Sequence, residues 1–413
     1  MLMNANGLDH YARIRRSVTA WGGIVLSTVL GLAGCGTSAE GYTEDVGTQA
    51  AAVTPTGAAG WRHWGAEPVN SHAGGWAGGP ALCSARTPSG DGYVEVGRDA
   101  SNNRFAIILR QFFTTATNPV DLGSTHIFSS KPACASLDEL HQLPDPMWSN
   151  QVAVLGRRSS TGPSNNQFFI KVLKLDTEPA FFGDPPSQPT QVLGWSSISS
   201  NTYASAPAAT VAGASLLVVG RKTDNRLYLH RNHLFILLLS NPFDNTNWQP
   251  VLQLPALPAG WTAAGDPAIG NTLPLFNLVT IVTRAQSGGT NRLYYTLFDP
   301  GTATFSAWAQ YTTTGLKVQS DPAIEVDLGL GLATLYFRAD HPTFPVSTNH
   351  IYQGSGYSNL WETFTQVIDS DGDDTFIDSP AALGNLTLES HHIVTAKKSS
   401  NQFWQNGTNV GVQ

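Results

Sequence analysis

Val218-Val219-Gly220-Arg221-Lys222-Thr223-Asp224-Asn225-Arg226-Leu227-Tyr228 reads as a β-hairpin. Two apolar runs, Leu216 to Val219 and Leu227 to Leu229, flank a polar turn that contains Asp224-Asn225. β-Branched and aromatic residues on both arms, with turn formers between them, are the local pattern of paired antiparallel strands. Eleven residues before Gly220 stands Ala209, closing a second marker, Ala206-Pro207-Ala208-Ala209.

Both features recur. Marker prolines are read at Pro80, Pro146, Pro207, Pro267, Pro322 and Pro380, spaced 66, 61, 60, 55 and 58 residues apart. After each, a strand-like run ends in a base: Arg98, Arg157, Arg221, Arg284, Arg338 and Lys397. After each base comes an Asn, a polar residue and then an apolar or aromatic residue, as in Asn103-Arg104-Phe105, Asn166-Gln167-Phe168 and Asn401-Gln402-Phe403. Six ordered copies of one pattern establish internal repetition as the main organising feature. A tryptophan (Trp195, Trp248, Trp308 or Trp361) precedes the next marker in four repeats, and Phe128 stands in for it in the first.

The sixth repeat reaches Gln413 without such a strand, whereas Trp61 and Trp64 lie upstream of the first marker. A terminus that completes the other terminus's sheet is what closure of a circular array requires. The expected fold is therefore all-β: a six-bladed β-propeller with four-stranded blades, sealed by the N-terminal strand. A solenoid would need capping ends and would gain nothing from a split repeat. Ala135 to Leu143 is the one stretch that reads as a helix.

Residues 1–35 read as an address segment: Arg13, Arg15 and Arg16 precede a short apolar run from Trp21 to Leu32. Leu32-Ala33-Gly34-Cys35 resembles the lipobox of bacterial lipoproteins. That resemblance implies cleavage before Cys35, lipidation of its sulfur and anchoring to the cell envelope. Gly36 after the cysteine points, by the same analogy, to the outer membrane. Residues 36–58 are rich in Gly, Ala, Thr and Ser and read as a flexible tether, and 59–413 as the propeller. Without residues 1–35 the chain has 20 Lys and Arg against 29 Asp and Glu, an acidic balance that argues against nucleic acid. With Cys35 assigned to lipid, Cys83 and Cys134 read as a disulfide within the first repeat, with two buried thiols as the alternative.

Several groups are candidates for chemistry. The recurring bases, Arg221, Arg284 and Arg338 among them, read either as ligand contacts or as structural links to acids such as Asp224 and Asp340. Trp64, Trp195, Trp248, Trp308 and Trp361 read as packing between blades or as platforms for sugar rings. Asp369, Asp371 and Asp373 resemble the start of a calcium loop, but the Glu of an EF-hand is absent. No nucleophile elbow, zincin motif or P-loop is present, so nothing in the sequence points to an enzyme.

The order of Ala206-Pro207-Ala208, Leu217 to Arg221, Asp224, Leu227-Tyr228 and Trp248 resembles the repeat of bacterial fucose-binding β-propeller lectins and related sialidase-like propellers. Ser320 to Ala323, Arg338, Asp340 and Trp361 match it next best. The resemblance implies non-catalytic carbohydrate binding between blades by tryptophans and polar neighbours, with glycans as partners. A protein-binding scaffold of an envelope complex is the alternative, and a glycoside-cleaving enzyme the third.

Overall fold

Each blade of the computed structural model begins immediately after a proline. The structure describes residues 65–408 except 67–73, 88–89, 112–118, 124, 138–149, 176–188, 213, 234–242, 244, 274–277, 312, 314, 328–331, 342–348, 357–363, 368–374 and 385–391. The six innermost strands are Ala81–Thr87, Ala133–Ser136, Ala208–Ala212, Ala268–Leu273, Ala323–Asp327 and Ala381–Gly384. Each packs beside the next, and the sixth packs beside the first, so the ring is closed. The chain is a six-bladed β-propeller.

Within a blade the sheet runs outward as an antiparallel meander. In the third blade Ala208–Ala212, Ser215–Arg221, Leu227–His233 and Leu252–Gln253 pair in that order. Short added strands from the lead-in segments (Ile127–Phe128, Thr262–Ala263 and Lys317–Val318) widen the second, fourth and fifth sheets. Ser215 to Gly220 are all buried because the sheet is covered on both faces by neighbouring blades, which explains its unbroken apolar run. Gly65–Ala66 pairs with Phe403–Thr408 in the sixth blade, as the upstream tryptophans led one to expect.

Two assignments made from the sequence change. The second blade starts after Pro132, not Pro146: Ala133–Ser136 pairs with Gln151–Ser159, and Pro146 lies outside the described residues. The start of the expected helix, Ala135-Ser136, is part of this strand, because its side chains fill the inner seam rather than one helical face. Consequently Cys83 and Cys134, bonded with Cα atoms 5.7 Å apart, join the innermost strands of two different blades. The bridge closes a separation of 51 residues, worth about 4 kcal/mol on the chain-entropy model.

The core is a set of wedges between blades. At three seams two stacked rings press against a glycine of the next blade. Phe403 and Trp76 (centroids 4.9 Å apart) lie on Gly97, Phe105 and Phe128 (4.0 Å) on Gly156, and Phe168 and Tyr203 (3.9 Å) on Gly220. A Cβ at these glycines would lie 2.3, 2.3 and 2.4 Å from ring atoms. At two other seams the bulk is redistributed: Leu293 and Val318 cluster with Phe337, and Ile351 and Phe376 with Ala396. Phe128 thus matches Trp76 and Tyr203, each four residues before a marker proline, rather than the recurring tryptophan.

The third seam also buries a polar pair. The Tyr203 hydroxyl bonds His230 Nε2, and His230 is fully buried with Trp248 edge-on to it. Burial pushes the His230 pKa down to about 3, so the ring is neutral. The folded value lies below the unfolded 6.5, so this contribution is intact above pH 6.5 and is lost as pH falls toward 3.

Two outcomes follow from these seams. Gly156→Ala should lower the unfolding free energy by about 1–3 kcal/mol through overpacking, while Gly162→Ala, with open space around it, should be near neutral. Denaturant unfolding of the two variants checks this. Between pH 6.5 and 4 the protein should lose stability more steeply than His230→Gln, by up to roughly 1.4 kcal/mol per pH unit. Parallel slopes for the two would remove His230 as the cause.

Candidate functional site

One face of the disc carries the lead-in segments and the hairpins that join second to third strands. Its inner circle is formed by the recurring bases. Each arginine reaches the lead-in segment of the next blade. Arg98 donates to the Phe128 carbonyl (3.3 Å), Arg157 to Tyr203 (3.2 Å), Arg221 to Gly265 (3.2 Å) and Arg338 to Phe376 (3.2 Å). Arg284 pairs instead with the Asp321 carboxylate (2.9 Å).

The turn asparagine secures the same side chain. Asn103, Asn166, Asn225, Asn349 and Asn401 have φ between 58° and 66°, a left-handed conformation that Asn tolerates better than most residues. Four of the arginines donate to a turn Asn Oδ1: Arg98 to Asn103 (2.6 Å), Arg221 to Asn225 (2.8 Å), Arg338 to Asn349, and Arg284 to Asn291 (3.4 Å). Arg221 therefore engages Asn225 and not Asp224, which accepts from the Arg226 N–H and the Tyr228 hydroxyl. Asp340 accepts from Gln319 and the Asn349 N–H while standing within electrostatic reach of Arg338.

Acids sit at the axis, just before the marker prolines. Asp266 accepts from the Ala206 N–H (2.8 Å) and lies 3.9 Å from Lys131. Burial, reinforced by the neighbouring Asp321 charge, pushes its carboxyl upward. Burial also lowers the pKa values of Arg98, Arg157, Arg338 and Lys397. Arg221, Arg284 and Arg338 lie in the seams, with carbonyls and amides of the fold and, for Arg284, the Asp321 carboxylate on their guanidinium groups.

The tryptophans also turn inward where they are described. Trp248 is buried and donates to the Phe243 carbonyl (3.3 Å). Trp195 donates to Leu122 (3.2 Å) and packs on Phe128. Trp308 donates to Pro255 (2.8 Å) while part-exposed. Trp64, Trp361, Cys35 and the acidic positions Asp369, Asp371 and Asp373 lie outside the described residues.

Outside the inner circle lies a second one that sequence reading missed. One position beyond each recurring base, the hairpin holds a cross-strand pair, and every pair contains Arg, Lys or His. The blades contribute Arg104, Arg158, Lys222 with Arg226, Arg292, His350 and Lys398. In four blades the base lies on an aromatic ring. Arg158 is 5.1 Å from the Phe169 centroid, Lys222 3.9 Å from Tyr228, Arg292 5.0 Å from Trp261 and Lys398 3.4 Å from Trp404.

Polar groups surround these pairs. In the fourth blade Gln310 Oε1 accepts from Arg292 (2.9 Å) and from the Tyr294 hydroxyl (3.2 Å), and Trp261 leans on Tyr294 at 5.5 Å. In the third, Lys222 donates to Asn201 (2.8 Å) and the Tyr228 hydroxyl to Asp224 (2.8 Å). Burial opposes ionisation of Asp224, but these donors and the Arg226 and Lys222 charges outweigh it and hold the carboxyl below its ordinary range. In the second, His126 lies against Phe169 at 5.2 Å, and burial together with Arg158 and Lys171 keeps its pKa low. An aromatic face, a fixed cation and a side-chain oxygen or amide make a surface suited to polyhydroxylated or oxyanionic ligands. The available clue in the sequence was the doubled base in Arg157-Arg158, Arg221-Lys222 and Lys397-Lys398.

No family model matches the chain, and no curated protein does. Among solved structures, a triple arginine-to-alanine mutant of AofleA from Arthrobotrys oligospora superposes with a TM-score of 0.52 at 12% identity, over 83% of this chain and 86% of that one. The BP39L lectin from Burkholderia pseudomallei gives 0.48 at 12% identity, over 80% and 82%. The Aleuria aurantia lectin, described as a fungal lectin with a six-bladed β-propeller fold and a novel fucose recognition mode, gives 0.46 at 13% identity, over 79% and 90%. At such identities the likeness is one of fold.

Proposed function

We propose that this propeller is a non-catalytic carbohydrate-binding protein of lectin type, held to a bacterial cell envelope through lipid on Cys35. The observation that carries the reading is the outer circle of the hairpin face. In four blades a base at one cross-strand pair lies on an aromatic ring, and in three of them hydrogen-bonding side chains surround it. Repetition of modest sites on a rigid ring suits multivalent glycans, where avidity compensates for weak single contacts. The recurring arginines of the inner circle then serve the scaffold, and the outer circle serves recognition.

The test is a glycan array probed with residues 36–413, which omit Cys35. Binding is expected, and Trp261→Ala should weaken it about three- to tenfold at the fourth-blade site, in line with the worth of one aromatic contact, without altering the unfolding midpoint. A well-folded sample that binds no glycan would overturn the reading in favour of a protein-binding scaffold.

A further inference from the structure

We propose that the ligands of the outer circle are anionic glycans, carrying carboxylate or sulfate groups that the ring-stacked bases receive. This rests on the carbohydrate-binding reading and adds the chemical class of the sugar.

The argument begins with charge placement. Only 13% of the residues are charged, and acids outnumber bases 30 to 23. Against that background, chance would not put a base or histidine at the same cross-strand pair in all six blades. The position is also not held by one residue. In the third and sixth blades the stacked base is on the second strand, at Lys222 and Lys398, whereas in the fourth Ala285 occupies that place and its partner Arg292 carries the charge. The charge recurs although the strand that supplies it changes.

Two of the bases, Arg292 and Arg158, are held in a form that can receive an oxyanion. Arg292 is exposed, its Nη1 bonds the neutral Gln310 amide oxygen, and its guanidinium lies over Trp261. Arg158 likewise bonds a neutral group, Ser164 Oγ (2.9 Å), and lies over Phe169. A guanidinium has five N–H donors in a planar fork, so one such bond leaves most of its capacity for a bidentate acceptor. The ring contact and the hydrogen bond together restrict the side chain before the ligand arrives, which reduces the ordering cost of binding. A neutral sugar would use the ring faces these bases cover. A uronate or sulfated sugar can instead set its charge on the base and its hydroxyls on Gln310 or Asp224.

The experiment compares oligomers of polygalacturonate with their fully methyl-esterified form, which keeps the sugar and removes the charge. Chondroitin sulfate and its desulfated form test the sulfate source. The protein is residues 36–413, studied by calorimetry at 50 and 300 mM NaCl. At least one acidic member should bind more tightly than its neutral counterpart and weaken with salt, because exposed charges are screened. Arg292→Gln, nearly isosteric and uncharged, should reduce that affinity at least roughly fivefold, and further with Lys398→Gln, as loss of charge-assisted bonds implies. Because the whole chain is acidic, nonspecific attraction to a polyanion would be opposed rather than favoured. Equal binding of charged and neutral forms, or binding that ignores salt and Arg292→Gln, would overturn the inference and leave the carbohydrate reading standing. Binding of no glycan at all would remove both.

Discussion

The close approach of a ring pair to a glycine is the contact on which the propeller's seams depend. Neighbouring blades diverge radially and twist, so the space between them has to be filled by side chains whose bulk matches at each level. At Gly97, Gly156 and Gly220 the missing Cβ makes room for two stacked rings from the preceding blade and the lead-in segment. Where the facing residue is Phe337, the preceding blade offers Leu293 and the lead-in segment Val318 instead. One seam volume is met by different partitions of the same bulk, which is why the repeat looks degenerate in sequence while the ring stays regular.

The base that follows each glycine position extends this logic from packing to polarity. Lead-in segments are irregular, and their carbonyls would be left unsatisfied in a buried seam. Arginine reaches across and supplies donors to them, while the left-handed Asn of its own hairpin supplies an acceptor that holds the fork in place. The alignment of bases around the axis is thus explained by the blade-to-blade joint. The next position along the same hairpin is the one to which our proposed function assigns recognition.

Closure is reinforced on both sides of the first blade. Gly65–Ala66 adds the outer strand to the sixth blade, and Tyr93 of the first blade donates to Gln405 of the sixth at 2.8 Å. On the opposite side the Cys83–Cys134 bond ties the first innermost strand to the second. A ring with a split blade opens most easily where its termini meet, and the extra links lie on either side of the first blade, which follows that joint.

Hairpin chemistry, six repeats, all-β architecture and closure by the N-terminal strand were legible in the amino-acid sequence. They depend on local turn residues such as Asn225, on short apolar runs and on counting. The start of the second blade was not legible. Pro146 gives the more even spacing, 66 and 61 residues against 52 and 75 for Pro132, and only pairing with Gln151–Ser159 shows that the blade starts at Ala133. The side each tryptophan faces was likewise undetermined, because Trp195 and Trp248 find their carbonyl acceptors through contacts that no short-range pattern encodes. The outer circle of bases became visible only through register, which sets Ala285 opposite Arg292 and Lys398 opposite Gln402. Sequence determines what a strand can bury, but which residues share a surface is decided when strands from distant turns are brought within side-chain reach.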